Sequence, residues 1–78
     1  MANTFDDWGA IQSLALALRE DTAANRAALQ RGAAAVGLPV AKFRRGVVNV
    51  SYLTAPNGLD ALDIAAARGL VAIAAGVA

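Results

Sequence analysis

Residues 37–58 read GLPVAKFRRGVVNVSYLTAPNG and separate two alanine-rich segments. Gly32 or Gly37 predicts the end of a helix, because glycine suits the left-handed position after a helix, and Pro39 cannot continue one. The run APNG at residues 55–58 is a strong turn signal. The stretch therefore divides the chain into one helical segment before it and another after it.

Within this stretch, residues 47–54 (VVNVSYLT) are rich in β-forming residue types. Valine and tyrosine alternate there with the polar Asn49 and Ser51, which is the period of a half-buried strand. We therefore expect a short extended β-arm over about residues 38–54. A single strand cannot satisfy its own backbone groups, so the arm also predicts pairing with another strand in this chain, in a copy or in a partner.

The segment before it predicts a long helix over about residues 4–32, with Asp6 and Asp7 in the first turn, where the helix dipole favours negative charge. Its apolar positions step alternately by three and four residues, which is the pattern of a coiled-coil seam. A polar residue in such a seam can set register and oligomer number. An amphipathic helix packed within its own domain shows the same spacing, so both interpretations stay open. The seam consists of Trp8, Ile11, Ala15, Leu18, Thr22, Asn25, Leu29, Gly32 and Val36.

The segment after it predicts a second helix over about residues 58–76, with Asn57 as its N-cap and Asp60 in its first turn. From Gly69 to the last residue there is no polar side chain. We expect this end to be buried, with Gly69 and Gly76 as notches for another helix. One face carries Leu59, Leu62, Ala66, Leu70, Ile73 and Val77.

The predicted fold is mainly α: a single domain (residues 1–78) with a long N-terminal helix, a short β-arm and a C-terminal apolar helix, hairpin-like or coiled-coil-like. Apolar residues are 58% of the chain, above the roughly 45–50% of ordinary domains. A domain this small usually needs a staple, and no cysteine is present to form one. We therefore expect a homo-oligomer or a larger protein assembly. The predicted interface residues are Trp8, Ile11, Leu18, Asn25, Leu29, Leu62, Leu70 and Ile73.

Trp8, the single tryptophan, has two interpretations of its own. It could be an anchor for a partner's pocket, because tryptophan is enriched at binding hot spots. It could equally be a core residue between the two helices, which is the interpretation that we favour.

The side chains available for catalysis are few. Histidine and cysteine are absent, so a general base would have to be a carboxylate, Lys42 or Tyr52. Asp60 and Asp63 could together hold a hard cation, but their place at the start of a helix explains them without a metal. We predict a non-enzymatic protein with no cofactor, no metal and no catalytic residue.

The charges are unevenly distributed although the net charge is only +1. Residues 22–45 contain five basic residues and no acidic one. Lys42, Arg44 and Arg45 form a basic arm around Phe43, which could contact nucleic-acid phosphates and stack Phe43 on a base. It could equally meet an acidic protein surface, such as the N-terminal acids of a copy. The near-neutral total makes nucleic acid the weaker alternative.

A membrane location is not indicated, because no uncharged apolar run reaches the length of a span and the N-terminus lacks the order of a signal peptide. Residues 59–78 permit a membrane-active, bacteriocin-like interpretation, against which Arg68 stands near their middle.

The leading functional hypothesis is a structural protein that packs as a multi-copy subunit. Its concrete version is a virion component, such as a phage capsid accessory, decoration, fibre-base or connector protein. The alternatives are a small nucleic-acid-binding or regulatory module that uses the basic arm, and the membrane-active peptide.

Overall fold

The computed structural model describes residue 5 and residues 7–76. Four helices follow one another in this part of the chain: α1 (Trp8–Ala17), α2 (Ala23–Val36), α3 (Val40–Ser51) and α4 (Ala61–Ala75). The mainly helical fold class is therefore confirmed. Helix α4 packs against each of the other three, while α1 and α2 do not pack against each other.

The prediction of a single long N-terminal helix is wrong, because α1 ends at Ala17 and α2 begins only at Ala23. Thr22 is the N-cap of α2, and its hydroxyl accepts a hydrogen bond from the backbone N–H of Asn25 at 3.1 Å. The side-chain amide of Asn25 donates to the carbonyls of Ala17 and Glu20 at 2.9 and 2.8 Å. The two polar residues of the predicted seam are thus the residues that end one helix and start the next.

The N-terminal boundary also differs from the prediction. Helix α1 begins at Trp8 with Asp7 as its N-cap, whose carboxylate accepts from the backbone N–H of Ala10 at 3.2 Å. The predicted start at residue 4, together with Asp6, lies outside the described residues. Asp7 therefore stabilises the helix from its cap position and not from within its first turn.

The β-arm prediction is wrong, because most of the segment forms helix α3 and no strand occurs within residues 7–76. Phe43, Val47 and Val50 lie four and three residues apart, which places them on one helical face, and each is at most 1% exposed. Their burial outweighs the preference of valine for strands, which depends strongly on context. No unpaired strand therefore calls for a partner in this part of the chain.

The helices cross closely at glycines. A Cβ added to Gly69 would overlap the ring of Phe43, and one added to Gly32 would lie 2.7 Å from the same ring. A Cβ on Gly46 would lie 2.7 Å from that of Ala66. The ring of Phe43 therefore occupies space that exists only because α2 and α4 lack side chains there.

The second predicted helix corresponds to α4, which begins later than expected, at Ala61. Its N-cap is Asp60 rather than Asn57, and Asp60 and Asp63 form a reciprocal capping box. It ends at Gly76, which has a left-handed backbone at φ 73°. Val77, predicted to lie on its apolar face, is outside the described residues.

The chain reaches ordinary dimensions without a partner. Its accessible surface is 4514 Å², close to the about 4,400 Å² expected for a folded monomer of its mass. Its radius of gyration is 11.1 Å, against about 11.5 Å expected for a globular domain of this length. A reason for association must therefore come from the character of the surface and not from an incomplete core.

Candidate interaction surfaces

The predicted interface residues lie mainly in the core of the single chain. Trp8, Ile11, Leu18, Leu29 and Leu70 are buried there. Leu62, Ile73 and Asn25 are half-buried, and Asn25 serves as a cap. The spacing that suggested a seam between copies therefore describes packing within one chain.

Trp8 is the core residue that one of its two interpretations predicted. Its indole N–H donates to the carbonyl of Leu53 at 2.8 Å, and its ring meets Phe5 edge-on with centroids 5.9 Å apart. The bond ties the start of α1 to the segment that follows α3. Trp8 is only 6% exposed, so it does not serve as a projecting anchor.

The predicted basic arm is the outward side of helix α3. Lys42, Arg44 and Arg45 are all exposed, and we call these three residues the basic face of α3. Phe43 is 0% exposed, so it is not available to stack on a base. Because the opposite side of α3 is fully buried, the basic face sits on a helix with a fixed position.

Two acidic residues lie near this face. Asp21 pairs with Arg26 at 2.7 Å, and more than half of each side chain is exposed. The hydrogen bond from Arg26 and its charge lower the pKa of Asp21, and the more distant charge of Arg44 adds to the effect. Asp60 and Lys42 line the same groove. The basic face is therefore only partly neutralised.

An exposed aromatic residue lies at the other end of α3. Tyr52 is 66% exposed, and the guanidinium of Arg19 stacks over its ring at 4.9 Å. A cation over a tyrosine ring at an exposed site contributes about 0.5–1 kcal/mol. The contact helps to hold the end of α1 against the end of α3, alongside the bond from the Gln12 amide to the Ser51 carbonyl.

Helix α4 has an outward side that is almost entirely apolar. Val71 is 36% exposed, Ile64 is half-buried, and the remaining positions are alanines with one cation, Arg68. A surface helix normally has charged and polar residues on its outward side, so this composition is unusual. We call this surface the apolar face of α4; it consists of Ala61, Ile64, Ala65, Arg68, Val71, Ala72 and Ala75.

Two shallow grooves run along one edge of this face and meet at Ala65. One has a volume of about 420 Å³ and is lined by Leu38, Lys42, Asp60, Ala61, Leu62 and Ala65. The other has about 340 Å³ and is lined by Ala35, Val36, Ala65, Arg68 and Ala72. Their apolar floors and charged rims suit another protein element better than a small molecule, which binds in enclosed pockets.

The acidic pair of α4 is explained by helix capping. The carboxylate of Asp60 accepts from the backbone N–H of Asp63 at 2.9 Å, and that of Asp63 accepts from the backbone N–H of Asp60 at 3.4 Å. The other carboxylate oxygen of Asp63 is buried with no hydrogen-bond partner among the described residues. No group of three histidine, cysteine, aspartate or glutamate side chains that could hold a metal occurs in this part of the chain.

Sequence reasoning found the basic residues but missed the second surface. Lys42, Arg44 and Arg45 are recognisable as a cluster in the sequence, although the predicted extended arm is in fact helix α3. The apolar face of α4 was overlooked because α4 is apolar on all sides, so its sequence does not distinguish the buried side from the outward one. Ile64 and Val71, seven residues apart and therefore on one side of a helix, were the available signal.

None of the helices described in the structure has the length and apolar character needed to cross a membrane. Comparison of the chain with protein-family models, with curated proteins and with solved structures finds no match.

Proposed function

We propose that this chain is a non-enzymatic structural protein that packs as a multi-copy subunit, with a second copy docking on the apolar face of α4. The observation that supports the proposal is that Val71 is exposed and Ile64 is half-buried on a side of α4 whose one charged residue is Arg68. Burying apolar surface contributes about 25 cal/mol per Å², so covering this face stabilises an assembly.

The charges on α4 favour a second copy as the occupant. Asp60 at the N-cap and Arg68 on the face lie about 12 Å apart along the helix axis, from the rise of an α-helix. In an antiparallel pair of α4 helices centred near Ile64, Arg68 of each copy comes to the level of Asp60 of the other. A two-fold interface requires this kind of self-complementary surface.

The size of the face suits repeated contacts rather than one tight pair. Helix α4 has 15 residues and is about 22 Å long. One side of it offers much less than the about 800 Å² per partner of a typical stable interface. We therefore expect weak association between two copies, which becomes strong where each subunit makes several such contacts.

Light scattering after size-exclusion chromatography, over micromolar to millimolar concentrations, tests the proposal. We expect the mass of the wild-type protein to rise with concentration. Val71→Lys should remain a monomer, because lysine on this face would be desolvated next to Arg68. Gln30→Lys, which adds the same charge at an exposed position of α2, should behave as the wild type. A wild-type monomer throughout the range would refute self-association.

The virion component remains the concrete prediction made from the sequence. In a virus particle, neighbouring copies of the subunit would cover the apolar face of α4 in a regular array. Electron microscopy of concentrated protein tests this version, for which we expect ordered oligomers or sheets with the wild type and none with Val71→Lys.

A further inference from the structure

The geometry points to a further function: we propose that the basic face of α3 binds double-stranded DNA, with α3 entering the major groove. This function is separate from the proposed self-association, since it uses α3 and not the apolar face of α4.

The local architecture is a helix, a short turn and a second helix. Helices α2 and α3 are separated only by residues 37–39, and Gly37 supplies a left-handed backbone at φ 69°. In the DNA-binding helix-turn-helix unit, two helices at about 90–120° are joined by a turn of three or four residues that often contains glycine, and the second helix reads the major groove.

The second helix also has a face suited to that groove. The outward side of its first turns carries Val40, Ala41, Lys42, Arg44 and Arg45, and all five are exposed. The N-terminal residues of a recognition helix contact base edges. Val40 is 41% exposed, and a small apolar side chain there can contact a thymine methyl group, while arginine can pair with guanine or phosphate.

The inward side fixes α3 in place. Phe43 fills the space left by Gly32 and Gly69, and Val47 and Val50 are buried beneath the following turns. A helix held in this way presents its outward side chains without having to be ordered on binding, so less affinity is lost to conformational entropy.

The charge distribution supports an anionic ligand on this side. Helix α3 carries three basic residues and no acidic one. Asp60 lines a groove together with Lys42 and does not belong to this helix. Asp21 lies near Arg44, but its closest partner is Arg26. Contacts from Lys42, Arg44 and Arg45 to three phosphates predict about a 40-fold weaker affinity when salt rises from about 50 to about 200 mM.

Fluorescence anisotropy with a short labelled DNA duplex of mixed sequence tests the proposal on the full chain. Arg44→Gln with Arg45→Gln should weaken binding about 50-fold at about 0.1 M salt. The same double variant should reduce the salt slope by about two. Lys42 is left in place in this variant because it also lines a groove beside α4. The matched control, Arg19→Gln with Arg68→Gln, removes the same charge elsewhere and should bind within about threefold of the wild type.

An RNA duplex of the same sequence separates groove entry from simple attraction to phosphate. Its major groove is too deep and narrow for a helix, so we expect at least about tenfold weaker binding than to DNA. Equal binding to both duplexes, equal losses in the two double variants, or no binding of DNA at low salt would each overturn the proposal. An acidic polypeptide that binds in place of DNA would assign the same face to a protein partner.

Discussion

Helices α3 and α4 pack against each other, and each buries one side completely, yet their outward sides differ in chemistry. The outward side of α3 carries Lys42, Arg44 and Arg45, whereas that of α4 carries Ile64, Val71 and alanines. The buried sides of both helices serve the same purpose, which is to close one core. The fold therefore constrains only the inner sides of these helices and leaves each outer side available for an interaction of its own.

The inner sides meet where side chains are missing. Gly69 and Gly32 leave room for the ring of Phe43, and Gly46 allows α3 to approach Ala66 of α4. A glycine inside a helix costs about 1 kcal/mol relative to alanine. The close packing of the aromatic ring offsets this cost. The comparison therefore predicts large stability effects on the inner sides and small ones on the outer sides.

The largest effect is expected from Phe43→Ala. Removing this fully buried ring leaves a cavity between three helices, and the free energy of unfolding should fall by about 3–5 kcal/mol. Tyr52→Ala, at the C-cap of the same helix, is the matched control and should lower it by only about 0.5–1 kcal/mol, the size of its contact with Arg19. Urea denaturation followed by circular dichroism measures both. Equal losses would contradict the distinction between the two sides of α3.

A smaller loss is expected from Gly69→Ala. The added methyl group overlaps the ring of Phe43, and overpacking of this kind costs about 1–3 kcal/mol. Gly9→Ala is the control, because nothing lies within 4 Å of the added atom. That change should leave stability the same or raise it by up to about 1 kcal/mol. A stabilised Gly69→Ala protein would show that α2, α3 and α4 do not cross as closely as described.

The smallest effect concerns Asp21 on the outer surface. The pKa of Asp21 is lowered, mainly by the hydrogen bond from Arg26. The ionised carboxylate therefore contributes to stability above the unfolded pKa of about 3.9. The contribution is lost as the pH falls through the folded pKa. NMR titration of the Asp21 carboxyl group measures its pKa, and Arg26→Gln should return that pKa toward the ordinary value. Arg68→Gln removes a cation that does not act on Asp21 and should not move this pKa. An unchanged pKa in Arg26→Gln would assign the effect to Arg44.

Helix boundaries were predictable where the backbone preference of a residue favours a turn or a helix end. Gly37, one of the two glycines predicted to end a helix, follows α2, whereas α2 continues through Gly32, the other. The turn at residues 55–58 lies between α3 and α4. Thr22 and Asn25 were harder, because the same polar residues serve equally as register-setting positions in a coiled coil and as helix caps. The choice depends on whether α1 and α2 continue in line, which is decided by how each packs on α3 and α4.

The strand prediction failed at residues 47–54 for a related reason. Val48, Val50 and Tyr52 alternate with polar residues, but Phe43, Val47 and Val50 also follow helical spacing. Local propensity cannot choose between two periods that fit the same residues. The helical choice is made by distant residues. Gly32 of α2 and Gly69 of α4 leave room for Phe43, and Gly46 of α3 itself allows a close approach to Ala66 of α4.

Residue types alone specify a mainly helical chain, its main turns, and a cluster of cations at residues 42–45 that must remain solvated. Three further features depend on how the helices pack: this cluster lies on a helix, the predicted seam is an internal core, and α4 leaves Ile64 and Val71 on its outward side. The physical reason is that charge and backbone preference are properties of a residue, whereas burial is a relation between residues that the fold alone brings together.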